Sequence, residues 1–305
     1  MTASVVAVRG LVKRYAEVTA VDGLSLDIAA GEVYGLLGEN GAGKSTTIEI
    51  LEGHRHATAG DVSVLGVDPR RADAAFYDRI GIVLQSSGIE RVLTVREVLT
   101  MYAPSYGRPR SVDECVDLVG LGAFVDQRIE KLSGGQRRRV DLALGIIGHP
   151  ELLFLDEPTT GLDPAARRAS WELIRTLSAE GTTIILTSHY LDEVEQLAGR
   201  VGVMVRGRLV VEGTPETLAS AAGVTTVRFP LPDGVAPDEL GFLGAALAVD
   251  GGQVTVSTPT PTATLHGLTG WALERGHDLA GLTVSRPSLE DMFLEVTAGS
   301  EAGDG

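Results

Sequence analysis

The sequence predicts an α/β protein: a β-rich opening, a parallel-sheet core, a helical insert, a return to α/β, and a small α+β appendage. Three observations predict it. A glycine-rich turn beginning at Gly38 joins an apolar run, Glu32-Val-Tyr-Gly-Leu-Leu37, to a helix-forming run, Thr47-Ile-Glu-Ile-Leu51. Two further short apolar runs, Leu152–Leu155 and Thr183–Leu186, read as strands covered on both faces. Between the turn and these runs, Thr94-Val-Arg-Glu97 and Ser111-Val-Asp-Glu114 are S/T-x-x-E capping boxes, each opening an apolar-periodic helix.

In chain order, Ser4–Arg9 and Leu24–Ile28 alternate apolar and polar residues, the period of half-buried strands. Gly60–Gly66 and Ile80–Leu84 add two more strands, and about 87–150 reads as helical. Helices around Ala165–Ala179 and Leu191–Leu197 then alternate with the returning strands. Thr214-Pro215 marks a helix start, a capping Thr before Pro in the first turn. Past 221, strands at Val224–Phe229, Ala246–Val249, Val254–Val256 and Leu282–Val284 and helices at Thr262–Arg275 and from Ser288 form the appendage, 221–298. Residues 299–305 carry no apolar anchor and read as a disordered tail.

Composition narrows the class. The chain has 305 residues, of which 44% are apolar and 22% charged, as in globular proteins with a full core. No apolar run approaches the roughly 18 residues needed to cross a bilayer, and the N-terminus lacks a signal-peptide pattern. The lone Cys115, among acidic neighbours, reads as a packing residue of a reducing compartment. A net charge of −15 argues against an extended nucleic-acid surface.

The turn itself, Gly38-Glu39-Asn40-Gly41-Ala42-Gly43-Lys44-Ser45-Thr46, fits G-x-x-x-x-G-K-[ST] in the strand–turn–helix context that motif requires. Its glycines let successive N–H groups point at anionic oxygens at the positive end of a helix. Lys44 can reach β- and γ-phosphates, and the Ser45 hydroxyl can ligate Mg²⁺. The strand ending in Asp156-Glu157 offers one carboxylate for the metal and one to polarise a water. Leu132-Ser133-Gly134-Gly135-Gln136 opens a helix and forms a second anion-binding N-terminus. The arginines after it, Arg137–Arg139, read as a solvated helix face with room for one to reach a partner carboxylate.

In this order and spacing the motifs resemble those of ATP-binding cassette (ABC) transporter ATPase subunits over roughly 5–220. The resemblance implies an ABC-type P-loop NTPase domain over 1–220, with a β-rich subdomain, a RecA-like parallel-sheet core and a helical insert. It carries the P-loop onto Gly38–Thr46, the Q-loop glutamine onto Gln85, which also approaches the metal, and the signature onto Leu132–Gln136. Asp156 becomes the Mg²⁺ partner, Glu157 the general base, Asp163 the D-loop residue, His189 the γ-phosphate switch and Tyr15 the adenine platform. It further implies ATP and Mg²⁺, a head-to-tail homodimer sandwiching two ATP, and a separate membrane permease that holds the chain at the cytoplasmic face. Leu51-Glu-Gly-His-Arg55, Gly66-Val-Asp-Pro69 and the segment Pro287–Glu295 resemble the daunorubicin-resistance branch, implying efflux of a small amphipathic drug or lipid. An importer ATPase is the first alternative. A non-transport cassette acting on nucleic acid or the ribosome is the second, disfavoured by the acidic charge and the lack of a second cassette or zinc module.

Overall fold

The computed structural model describes residues 4–84, 88–221, 224–232, 234–243, 247–285 and 288–301. The chain divides into two compact units, Met1–Pro215 and Glu216–Gly305.

The first unit opens with β1 (Ser4–Tyr15) and β2 (Val18–Ala29), longer than the sequence periodicity indicates. Register shifts between Val8 and Leu11 let β1 bend and continue, where the glycine at position 10 reads in sequence as a break. β3 (Val33–Gly38) is buried along its whole length and leads into α1 (Lys44–Leu51). β4 (Ala59–Val64), the single-turn α2 (Ala74–Tyr77) and β5 (Ile80–Val83) follow. The helical insert holds α3 (Val95–Tyr102), α4 (Val112–Leu118) and α5 (Gly134–Ile146). Thr94 and Ser111 cap α3 and α4 as their sequences require, accepting from the backbone N–H of Glu97 and Glu114. Cys115 is buried on α4, and burial pushes its thiol up to about 11, consistent with packing rather than reactivity.

Then come β6 (Leu152–Asp156), α6 (Pro164–Ala179), β7 (Thr183–Ser188), α7 (Leu191–Leu197), β8 (Arg200–Val205) and β9 (Arg208–Gly213). The β8–β9 hairpin is an addition to the sequence reading. Its turn is Arg206-Gly207, both at positive φ (48° and 81°), the geometry of a two-residue hairpin loop. Strands β5-β6-β7-β3-β8-β9 form one sheet, parallel except for β9. Strands β2-β1-β4 form a second, antiparallel sheet. Val8, Leu11 and Leu26 of that sheet share a buried cluster with Leu36, Ile48, Phe154 and Ile185, so the P-loop helix is packed between two sheets.

After α8 (Pro215–Ala221), the second unit holds β10 (Thr225–Pro230), β11 (Leu247–Asp250), β12 (Gln253–Thr258), α9 (Pro261–Arg275), β13 (Thr283–Ser285) and α10 (Leu289–Glu301). The strands make an antiparallel sheet in the order β11-β12-β10-β13. Val227, Phe229, Val254 and Val256 alternate onto one face and bury against Leu240 and Leu268, the last on α9. α10 runs to Glu301, past position 299 where the sequence reading begins its tail. Residues 302–305 lie outside the described ones, as does Pro287.

Candidate functional site

The C-terminal ends of β3 and β6 and the start of α1 surround an open cleft of about 530 Å³, lined by Ala20, Asn40, Gly41, Gly43, Lys44, Ser45, Thr46, Asp156 and Glu157. The loop's shape explains its residues. Gly43 stands at φ +98°, and a Cβ there would lie 2.3 Å from the Ala20 carbonyl oxygen. Gly43→Ala is therefore expected to cost about 1–3 kcal/mol of local strain and to weaken ATP binding, measured by thermal unfolding and nucleotide titration. An unshifted midpoint together with normal binding would refute the packing argument.

Lys44 is buried and donates to the carbonyls of Gly38 (2.7 Å) and Glu39 (3.1 Å), arching back over the loop. Burial lowers the pKa of its ammonium, partly opposed by Glu157 and Asp156. Ser45 is exposed toward the cleft, Ala42 is buried beneath it, and Glu39 is exposed. One helical turn behind, Thr47 donates to the Gly43 carbonyl at 2.9 Å and holds the loop closed.

The carboxylates are held by groups that the sequence reading did not single out. Parallel pairing sets Asp156 beside Thr187, whose hydroxyl donates to Asp156 Oδ1 at 2.5 Å. Glu157 sits at φ +47°, an uncommon conformation for a non-glycine residue, which turns its side chain off the strand direction. Its N–H donates to the Thr187 carbonyl at 3.1 Å, and its Oε2 accepts from Thr160 at 3.1 Å. His189 Nδ1 lies 3.1 Å from Glu157 Oε1, so the histidine carried over from the motif does meet the carboxylate. Below the histidine, Ser188 donates at 2.6 Å to the fully buried Glu193, which also accepts from Trp171 at 3.3 Å. Burial raises the Glu193 pKa, and burial with the nearby Asp156 and Glu49 pushes Glu52, at the end of α1, up to about 8.

The remaining motif residues lie apart. Ser133 and Gln136 form a reciprocal capping box on α5, with Gln136 N–H to Ser133 Oγ at 3.2 Å and Ser133 N–H to Gln136 Oε1 at 2.8 Å. Gly134 lines a second cavity of about 270 Å³ with Arg137, Arg138, Asp141, Thr160 and Gly161, while Gly135 packs near Ala166 and Leu162. No P-loop residue lines that cavity. Asp163 caps α6, accepting from Ala165 and Ala166 N–H at 2.9 Å each, which holds its carboxyl below the usual range. Tyr15 ends β1, partly exposed, with Lys13 Nζ 4.8 Å from its ring centre; it is not among the cleft-lining residues. Gln85 lies outside the described residues. One expectation is corrected: Arg137–Arg139 is not a uniform solvated face, because Arg138 is buried and bonded to main-chain carbonyls.

The donors in the cleft fit Mg²⁺. The Ser45 hydroxyl and the Asp156 carboxylate are hard oxygen ligands, and among the described residues no group of three or more His, Cys, Asp or Glu could hold a metal alone. Two hard oxygens of this kind suit a cation that takes one or two protein ligands alongside phosphates and water.

A family model described as ABC transporter matches residues 21–160, and one described as ABC transporter domain-containing protein-like, C-terminal domain matches 225–288. The chain is 39% identical over 302 residues to the daunorubicin/doxorubicin resistance ATP-binding protein DrrA of Streptomyces peucetius, covering 94% of this chain and 91% of that one. The chain belongs to the ABC transporter family. It is likewise 39% identical over 294 residues to the Nod factor export ATP-binding protein I of Paraburkholderia xenovorans strain LB400, covering 93% and 94%. Among solved structures, cbiO1 from Clostridium perfringens, part of the ABC transporter complex cbiONQ, superposes with a TM-score of 0.64 at 28% identity, covering 70% of this chain and 90% of that one. The ABC family assigns ATP binding and hydrolysis to this cassette, and the relatives place it in the drug-resistance and export type. No described helix is long and apolar enough to cross a membrane.

Proposed function

We propose that this ABC ATPase powers efflux of a small amphipathic drug or lipid through a separately encoded permease, as a homodimer at the cytoplasmic face of the membrane. The observation that supports the dimer is the separation within one chain: the P-loop lines one cleft, while Gly134 of the signature lines a different cavity that no P-loop residue reaches. A second chain in head-to-tail arrangement supplies a signature N-terminus to each ATP, and its contacts exist only with triphosphate present. The end-to-end similarity to resistance and export subunits supports the direction of transport.

In this reading the P-loop N–H groups of Asn40–Thr46 cradle the β- and γ-phosphates, and Lys44 exchanges its carbonyl partners for phosphate oxygens. Ser45 and Asp156 would hold Mg²⁺, which would supply neutralisation of phosphate charge when bound. Glu157 takes the proton of the attacking water, its carboxylate oriented by Thr160 and His189. Tyr15 stacks on adenine, with Lys13 over the ring adding positive charge near the nucleotide. Asp163 stands at the dimer seam. Residues 221–298 form an accessory domain.

Tagged Glu157→Gln protein, recovered with ATP from gently solubilised native membranes, is expected to carry a polypeptide with several hydrophobic spans. An accompanying extracytoplasmic binding protein would turn the reading to import. Ribosomes or nucleic acid without a membrane protein would overturn it.

A further inference from the structure

Arg138 is 7% exposed, yet it lies on a helix whose sequence reads as a solvated basic face. Its guanidinium is spent on main-chain oxygens. Nε donates to the Pro158 carbonyl at 2.9 Å, and Nη2 donates to those of Asp156 at 2.9 Å and Glu157 at 3.1 Å. Nη1 donates to the Leu84 carbonyl, just past the end of β5, and lies 3.8 Å from Asp141 on its own helix. Four acceptors thus come from two separate segments, one of them carrying both carboxylates of the cleft. Only a planar fork of donors reaches such a set at once.

The acceptors matter as much as the donor. Asp156 and Glu157 are fixed from the β7 side by Thr187 and from the α5 side by Arg138. Glu157, at φ +47°, needs anchoring on both sides, since a strained conformation persists only where its surroundings over-determine it. Arg138 also lies little more than one turn beyond Ser133, the cap of the same helix. The helix that presents the signature segment is therefore tied to the carboxylate loop through one side chain.

We propose that Arg138 is a positioning residue that locks the Asp156–Pro158 loop to α5, so that Glu157 in one site and the signature N-terminus offered to the other keep a fixed relation. This rests on the reading of Glu157 as general base and of the signature as acting in trans.

The test uses the full chain with Arg138→Gln and Arg138→Lys, measuring kcat and KM for ATP, ATP affinity and the thermal midpoint. Both variants are expected to lose kcat by about 10²-fold, the effect of misplacing a reacting group by roughly 1 Å, with KM and ATP affinity near the parent's. Lysine is expected to rescue no better than glutamine, because a point charge cannot replace the fork. Added to Glu157→Gln, either substitution is expected to reduce the ATP-dependent dimer that Glu157→Gln forms alone, read by gel filtration.

Parental kcat in both variants, or full rescue by lysine, overturns the proposal. So does a joint fall of midpoint, affinity and kcat, or failure of both variants to fold, since either marks a folding contact. If Glu157→Gln itself turns over ATP normally, or forms no dimer, the underlying reading fails instead, and the Arg138 kinetics in the parent chain are judged separately.

Discussion

Glu157→Gln is expected to slow ATP turnover by about 10²–10⁴-fold while leaving ATP affinity essentially unchanged. Glutamine keeps the shape of the side chain and an oxygen to accept from Thr160, and the main-chain hydrogen bonds that hold the loop do not involve the side chain. What disappears is the basicity needed to take a proton from water. The loss corresponds to about 3–5 kcal/mol of transition-state stabilisation, with no comparable loss in the ground state. Because triphosphate persists, the closed dimer persists too. Single-turnover kinetics and gel filtration with ATP read both effects. Unchanged turnover would remove Glu157 from the role of general base and pass the question to its neighbour His189, 3.1 Å away.

The parts of this site legible in the sequence are those written in consecutive residues. The P-loop is a local device, in which the glycines, Lys44 and Ser45 act within one strand–turn–helix. The capping boxes at Thr94 and Ser111 are equally local, and the structure realises both as side-chain caps, with Ser133, read in sequence only as a helix start, adding a third. The supporting groups are not local. Thr187 reaches Asp156 only because β6 and β7 pair in parallel at that register, and nothing around Thr187 in sequence announces it. Thr160 depends on the loop after β6 folding back on Glu157. Arg138 has the sequence texture of its half-buried neighbours Arg137 and Arg139, and only the approach of two strand ends from elsewhere in the chain buries it fully.

The fold divides along the same line. Continuous apolar runs expose the central strands β3, β6 and β7, because strands covered on both faces need no alternation. The β8–β9 hairpin had a signal of its own, two apolar runs around Arg206-Gly207, but one strand pairs in parallel with β3 and the other closes the sheet edge. The bend in β1 near position 10 is a tertiary accommodation, and a period-2 pattern breaks wherever the register shifts.

Lys44→Ala is expected to remove ATP affinity itself, by at least about 10-fold, since one charge-assisted hydrogen bond contributes about 1.5–3 kcal/mol and Lys44 can offer more than one. Its ammonium already sits within the loop, bonded to the Gly38 and Glu39 carbonyls, so binding requires only an exchange of partners. The pH dependence gives an independent check. Burial holds the free protein's Lys44 pKa below the usual lysine value, while phosphate oxygens favour the charged form and raise it on binding. ATP binding therefore takes up a proton once the pH exceeds the lowered pKa, and affinity falls as pH rises through that range. In Lys44→Ala this alkaline limb is absent and affinity is low throughout. Titration calorimetry in buffers of different ionisation enthalpy measures both affinity and proton uptake. Parental affinity in the variant would mean that phosphate is held by the loop N–H groups alone, and that Lys44 serves the loop's structure rather than the nucleotide.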